Sequence, residues 1–321
     1  MRDRSSACFA ERLEPLGRIL DFTEQQYVVW SCAPIYGPND KIHVFFTRVP
    51  GPRNEWFKNF RMKGEIVHAT ADRPEGPYSV HEVVHKGRGE GFWDAYGIVN
   101  PRIYKTGNGY ALFFTAYEIP WPREKMKEHI GLLVSDDLQN WSCANDGQPI
   151  LSPDLVTSNA WDSQIVNNAA FIKNPTNNQC WLYYRGLKDL SMYNIGLAIS
   201  DKIEGPYTRS NCNPVIDTSK LKNNFKGFED PHVWFEKDSF RMIVQDTGYF
   251  KNPGGCYFES EDGIYWSKPM RGYFGPEYYW NEKGNLDSPL ILLGETGEPE
   301  YLFVNRFTNG RATGFVFRIN K

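Results

Sequence analysis

The chain has 321 residues, 40% hydrophobic and 23% charged, which is enough to bury a full core in one or two domains and excludes disordered or collagen-like organisation. Lysine and arginine number 36 against 39 aspartate and glutamate, a net charge of -3, so no broad basic surface points to nucleic acid. Aromatic residues make up 15%, beside 28 Gly and 21 Pro, and this balance favours strands and turns over helices.

Apolar runs such as Tyr110 to Ala116 fall far short of the ~20 residues of a membrane helix, so no bilayer contact is expected. Met1 to Ser6 carries charge with no apolar stretch behind it; the chain either stays in the cytoplasm or has lost a signal, and the compartment is left open. Cys8, Cys32, Cys143, Cys180, Cys212 and Cys256 form no CxxC pair, which argues against a zinc site or a disulfide scaffold and for free, mostly buried thiols.

In chain order, a short N-terminal extension of about residues 1–26 carries a helical stretch at Ala10 to Leu20. A first hairpin then spans Ala33 to Thr47, and Arg53 to Gly64 makes an excursion over it. The strand Ile66 to Ala69 runs into the phrase Ala71-Asp72-Arg73-Pro74-Glu75-Gly76-Pro77-Tyr78. A second hairpin, Asn100 to Thr115, is followed by a short helical candidate at Arg123 to Glu128, a strand Ile130 to Val134, and the related phrase Ser135 to Trp141. A third, Asn167 to Tyr184, leads through Ile195 to Ile199 into Ser200-Asp201-Lys202-Ile203-Glu204-Gly205-Pro206-Tyr207. A fourth, Asp230 to Val244, leads through Cys256 to Phe258 into Ser260 to Trp266; a fifth, Ser288 to Val304, ends the chain.

The phrase recurs roughly every 60 to 65 residues. Each occurrence is a strand, a turn and a further strand, so every unit is a pair of hairpins, or four antiparallel strands. Five units fill residues 1–321 as one domain, and the fold class expected is all-β, a five-bladed β-propeller with short protected edges around a channel.

The first strand of a blade lines the channel, so side chains at its start converge on one pocket. Aligned on the residue before proline, these starts read Ala33-Pro34, Asn100-Pro101, Asn167-Asn168, Asp230-Pro231 and Ser288-Pro289. Two are introduced by one phrase, Trp93-Asp94 ahead of Asn100 and Trp161-Asp162 ahead of Asn167. Tryptophan faces with Asp and Asn side chains bind sugar rings and hydroxyls; the same Asp residues can equally cap tight turns. Glu229 and Asp230 alternate in side, with His232 on the side of Asp230, so one of the two acids is structural and Glu229 is favoured as the working one. The other histidines have no matched partner spacing and are expected in core or surface roles. Arg48, Arg185 and Arg306 recur at the ends of second strands, either as inter-blade salt bridges or as a grip on an acidic sugar. Tyr273 to Trp280 offers a further aromatic wall, and Asn252 to Gly255 is a loop without a following helix to cradle phosphate.

Glu229-Asp230-Pro231-His232-Val233 resembles the Glu-Gly-Pro-His-Leu phrase of glycoside hydrolase family 43, and the repeat resembles that family's propeller and its family 117 relatives. The resemblance implies that Glu229 is a general acid. It also implies a base aspartate before proline on the first blade and a tuning aspartate on the third, where this chain has Ala33 and Asn167. Asp94 is the substitute expected as base, with Asp162 positioning substrate or tuning Glu229, or the two exchanged. Trp93, Trp161, Asn100, Asn167, Asp230, His232 and Arg185 are the expected substrate-binding residues.

The function expected is a glycosidase that cleaves a terminal sugar from a plant or algal oligosaccharide by paired carboxylates, with inversion. A carbohydrate-binding propeller without turnover, a phosphorolytic enzyme on the same fold and a protein-interaction propeller are the alternatives. No cofactor is required; the resemblance allows a structural calcium or sodium ion in the channel, although no Asp-x-Asp-x-Asp-Gly loop supports it. Oligomeric state is left open.

Overall fold

A computed structural model describes residues 8–321 apart from 52, 108, 158, 190–191, 222–224 and 252–253. The N-terminal charge pattern at 1–6 and the first half of the 252–255 loop lie outside the described residues.

The structure is mostly β. Strands β1 (Leu13–Ile19), β2 (Tyr27–Tyr36), β3 (Ile42–Pro50), β4 (Glu65–Ala71) and β5 (Ser79–Lys86) come first. They are followed by β6 (Ile98–Lys105), β7 (Tyr110–Ile119), β8 (Lys127–Ser135) and β9 (Ser142–Cys143), then by β10 (Ile165–Lys173), β11 (Cys180–Leu187), β12 (Asn194–Ser200) and β13 (Thr208–Arg209). The last are β14 (Phe228–Glu236), β15 (Ser239–Asp246), β16 (Gly255–Ser260), β17 (Met270–Tyr273), β18 (Gly284–Leu293), β19 (Pro299–Thr308) and β20 (Arg311–Ile319).

β2 to β5 pair in chain order as an antiparallel sheet, as do β14 to β17. β6 to β9 and β10 to β13 do the same and are joined by a single parallel pair, Ile165 with Glu128. β18 to β20 take β1 as their outer strand, Leu13 opposite Ile319. The hairpins lie where the sequence places them. The N-terminal stretch does not: Ala10 to Leu20 is a 3-10 turn (Phe9–Arg12) and then β1, because the last unit has no fourth strand of its own and its edge needs one. Arg123 to Glu128 likewise holds only a 3-10 turn at Arg123–Lys125 before β8 begins, and the excursion after β3 contains a helix, α1 (Trp56–Lys63).

The recurring phrase is a capped turn. Ser135 Oγ accepts from Leu138 N at 3.0 Å while Asp137 Oδ1 accepts from Gln139 N and Asn140 N at 2.8 and 2.7 Å. Ser260 and Asp262 repeat this with Gly263, Ile264 and Tyr265. In the Gly-Pro-Tyr version, the tyrosine hydroxyl reaches back four residues: Tyr78 to Pro74 O at 2.7 Å and Tyr207 to Ile203 O at 3.0 Å. Short polar side chains satisfy the turn's backbone groups, which fixes the hairpin register each time.

A second repeat appears on the inner strands. Each carries a β-bulge near its start, between Trp30 and Ala33, Val99 and Arg102, Asn167 and Ala170, Glu229 and His232, and Asp287 and Leu290. At each bulge one non-glycine residue is left-handed: Ser31, Asn100, Asn168, Asp230 and Ser288, with φ between 50° and 54°. Asn and Asp tolerate this conformation best, and three of the five positions use them. The equivalent starts are therefore Ser31-Cys32 and Asn168-Ala169, not Ala33-Pro34 and Asn167-Asn168. Alignment on proline displaced the first unit by two residues and the third by one.

The bulges tie neighbouring sheets together. Opposite Trp30, Val99, Asn167, Glu229 and Asp287 on the second strands stand Thr47, Thr115, Arg185, Gln245 and Asn305. Thr47 accepts from Asn100 N (2.9 Å), Thr115 from Asn168 N (3.1 Å), Gln245 from Ser288 N (3.3 Å) and Asn305 from Ser31 N (2.5 Å). The last contact links the final sheet to the first, so that four of the five links of a ring are made.

Candidate active site

Arg185 is the exception in that ring. A guanidinium has no acceptor to offer the next bulge, and Arg185 instead places Nη1 2.7 Å from Glu229 Oε1. Its Nε donates to Asn167 Oδ1 at 2.8 Å, and Asn167 Nδ2 donates to Glu128 Oε2 at 2.5 Å. Glu128, Asn167, Arg185 and Glu229 thus form one line across β8, β10, β11 and β14, with two carboxylates at its ends. The Arg185 guanidinium also lies 5.0 Å from the centre of the Tyr193 ring.

The sequence grouped Arg185 with Arg48 and Arg306, but those two stand one residue later on their strands, on the other face. Arg48 pairs with Glu65 at 2.6 Å, and Arg306 pairs with Glu282 at 2.7 Å over the Trp280 ring.

The carboxylates differ in surroundings. Burial, followed by the like charges of Asp230 and Glu128, pushes the Glu229 carboxyl up against the pull of Arg185. Burial raises Glu128 too, but its other neighbours favour the ionised form: the Arg185 and Arg61 guanidiniums and hydrogen bonds from Asn167 and Tyr117. Asp287, which holds in β18 the register place that Glu229 holds in β14, is pushed well above the usual range by burial and by Asp230 and Glu229. Glu229 is the open member of the set, its side chain 22% exposed, whereas Glu128 and Asp287 are buried. Trp30, at the same register place in β2, stacks on Trp56 of α1 at 5.4 Å and also packs on Phe60 and Phe307.

Of the expected site residues, the structure brings together Glu229, Arg185 and Asn167. Asp94 and Asp162 lie elsewhere, each with its side chain 1% exposed and in an ion pair. Asp94 is held by Arg88 at 2.6 Å with His85 at 3.5 Å. Asp162 is held by Arg209 at 2.7 Å and by the Tyr184 hydroxyl at 2.8 Å. Their tryptophans pack inside the sheets: Trp93 stacks on Phe114 over Gly131, and Trp161 on Tyr184 over Gly186 and Gly196, where a Cβ would come within 2.3 to 2.8 Å of the indole. The Trp-Asp phrases are latches between a linker and its sheet. Asn100 and Asp230 belong to a polar layer at the bulges of the inner strands, Asn100 on Asn168 at 2.5 Å and Asp230 on Arg102 at 2.9 Å. His232 lies beyond that layer, stacked on Tyr104 and lowered to about 3 by burial and Arg102, hence neutral.

Glu128 and Asp287 escaped the sequence. Asp287 precedes a bulge as Glu229 does, and the shared register would have found it. Glu128 lies on a third strand, and only the parallel contact with Ile165 brings it to the inner strands. A cavity of about 920 Å³ opens at the opposite ends of the inner strands, lined by residues such as Tyr36, Tyr104, Phe171 and Trp234. It touches none of the clustered carboxylates, so charge rather than volume locates the candidate site.

Residues 100–277 match the family model of the glycosyl hydrolases family 32 N-terminal domain, and the chain belongs to that family of propeller glycoside hydrolases. An extracellular endo-alpha-(1->5)-L-arabinanase of Bacillus subtilis is 25% identical over 213 residues, 60% of this chain and 43% of the relative, so the match spans less than half of that relative's length. A family 117 glycoside hydrolase of the marine bacterium Zobellia galactanivorans superposes with a TM-score of 0.72 at 15% identity, over 95% of this chain and 89% of that one. A thermostable family-43 glycoside hydrolase does so with a TM-score of 0.63 at 9% identity, over 91% and 90%. These two share the fold.

Proposed function

We propose that the 321 residues form one five-bladed propeller domain and that it is a glycosidase, removing a terminal sugar from a plant or algal oligosaccharide with inversion. Four of five bulge contacts, including the one from the final sheet back to the first, support the blade count, and family membership together with the arabinanase relative supports the reaction class. The observation that carries the site is the Glu128–Asn167–Arg185–Glu229 line, where the one break in the ring repeat turns a cation onto the family-like glutamate.

Hydrolysis of a glycoside needs a proton for the leaving oxygen and a base for the attacking water, and inverting enzymes hold the two carboxyls ~6.5 to 9.5 Å apart. Glu229, accessible and raised by burial and like charges, is the acid. Glu128, deeper and surrounded by donors and cations, is the ionised partner that accepts a proton from water entering beside Arg185. Asn167 and Arg185 stand between them and space the pair. The proton leaves Glu229 for the glycosidic oxygen as the bond to the anomeric carbon breaks, and water attacks from the other face. Trp30 and Tyr193 supply apolar faces for the sugar. Asp94 and Asp162 have no catalytic part.

A carbohydrate-binding propeller without turnover is the second reading, favoured by Ser31 and Asn168 at the bulge places where the family resemblance calls for aspartates. One experiment separates them: wild type and Glu229→Gln on a panel of arabino-, xylo-, galacto- and anhydrogalacto-oligosaccharides, with melting curves. Cleavage by wild type, reduced about 10² to 10⁴-fold in a folded Glu229→Gln, supports the glycosidase. Sugars that raise the melting temperature without being cleaved support the binder.

A further inference from the structure

The family resemblance allows a calcium or sodium ion in the channel, and the polar layer at the bulges is where this chain gathers the most buried oxygens of its inner strands. We propose that Arg102 is the cation of that layer, so that this chain needs no metal there.

Arg102 follows the bulge of β6 and is fully buried. Its Nη2 lies 2.9 Å from Asp230 Oδ1, and Nη1 donates to Ser31 Oγ and, at 3.0 Å, to Pro101 O. Ser288 Oγ donates to Ser31 Oγ at 3.1 Å, and Asn100 Nδ2 donates to Asn168 Oδ1 at 2.5 Å. The left-handed residue of every inner strand therefore bonds within this layer, although Asn100 Oδ1 has no partner, and the carboxylate and one hydroxyl serve the guanidinium directly.

A hard cation does not fit beside it. Calcium takes about 6 to 8 oxygens at roughly 2.3 to 2.6 Å, and the one carboxylate here already faces a guanidinium. One buried negative charge against one buried positive charge leaves the layer neutral; a metal added to it would be an unpaired buried charge. His232, next along the channel, keeps both ring nitrogens without a protein partner, but an ion bound there would face the same guanidinium. Among the described residues no group of three or more His, Cys, Asp or Glu is placed to hold an ion.

The test needs neither substrate nor activity. Metal content of the purified protein is measured together with melting temperature in EDTA, in calcium, and in sodium against choline chloride. Wild type is expected to carry well under one metal per chain and to melt within about 1 °C in all four solutions. A stoichiometric metal, or a melting temperature raised by calcium or sodium, overturns the proposal. Arg102→Ala is expected to melt about 5 °C or more below wild type and to regain at least half of that in millimolar guanidinium, sodium or calcium, none of which helps wild type. Rescue by no cation overturns it. Should Arg102→Ala not fold, Arg102→Ala with Asp230→Asn removes both charges and is expected to fold better than the single variant; a double variant no better than the single one contradicts the charge-pairing role.

Discussion

Arg185 Nη1 stands 2.7 Å from Glu229 Oε1, at a register place where other units carry Thr47, Thr115, Gln245 and Asn305 as acceptors for a neighbouring bulge. A position that elsewhere closes the ring is given up here to put a cation beside a carboxyl, so the strongest local departure from the repeat coincides with the charge cluster.

Arg185→Gln restores an acceptor and removes that cation. Because Arg185 pulls the Glu229 carboxyl down against burial, its loss moves the Glu229 pKa further up. The alkaline limb of kcat/KM, which reports loss of the acid's proton, is expected to shift to higher pH while kcat falls about 10²-fold. A pH profile of the variant with an unmoved alkaline limb counts against Glu229 as the acid.

Glu128→Gln keeps the hydrogen-bonding outline of Glu128 and deletes its charge. The expected result is a loss of about 10² to 10⁴ in kcat with KM within a few-fold, as for a group acting on the attacking water. Equal activity in a folded variant would move the base elsewhere.

Asp94→Asn and Asp162→Asn are expected to behave as stability variants. Each leaves a partly exposed arginine beside a buried amide, a cost of about 2 kcal/mol, below the figure for a fully buried pair, or roughly 3 °C in melting temperature for a chain of this length. Their kcat, measured well below the melting range, stays near wild type. The Asp94 carboxyl is held below its usual range despite burial by His85 and Arg88. Its folded pKa lies under its unfolded one, so its contribution is complete above the unfolded pKa and fades as pH falls through the folded value.

Asp287 works in the opposite direction. Its folded pKa lies well above the unfolded one, so the protonated fold is favoured, and the contribution is full below the unfolded pKa and lost as pH rises through the folded value. Asp287→Asn, which cannot ionise, is expected to melt higher than wild type at pH 8 and to show no advantage at pH 4. A variant that melts lower at pH 8 would mean that the ionised Asp287 is stabilised by a partner.

The repeat was legible because its turns are chemical: Ser135 with Asp137 and Ser260 with Asp262 cap backbone groups with the same residues each time, and that pattern survives in one dimension. Glu229 was legible through its Pro-His context, and Arg185 and Asn167 as polar residues at the right strand ends. The Trp-Asp phrases misled because binding walls and packing latches use the same residue types; what separates them is Gly131 or Gly196 under the indole and Arg88 or Arg209 on the carboxylate, of which only Arg88 is near in sequence to its partner. Alignment on proline misplaces Ser31 because the first unit's proline, Pro34, stands two residues past the place that Pro101 holds in β6. Glu128 needed the contact between two sheets, which no local pattern encodes. β1 was read as helix because its partner β20 lies at the far end of the chain.

The most direct test of the central claim, that Glu229 protonates the leaving group, is the ratio of kcat/KM for Glu229→Gln on a glycoside with a dinitrophenyl leaving group to that on the matching oligosaccharide. A good leaving group departs without a proton, so the variant is predicted to keep near wild-type activity on the dinitrophenyl glycoside and to lose about 10² to 10⁴-fold on the oligosaccharide. Equal losses on both, in a variant that melts like wild type, would contradict it.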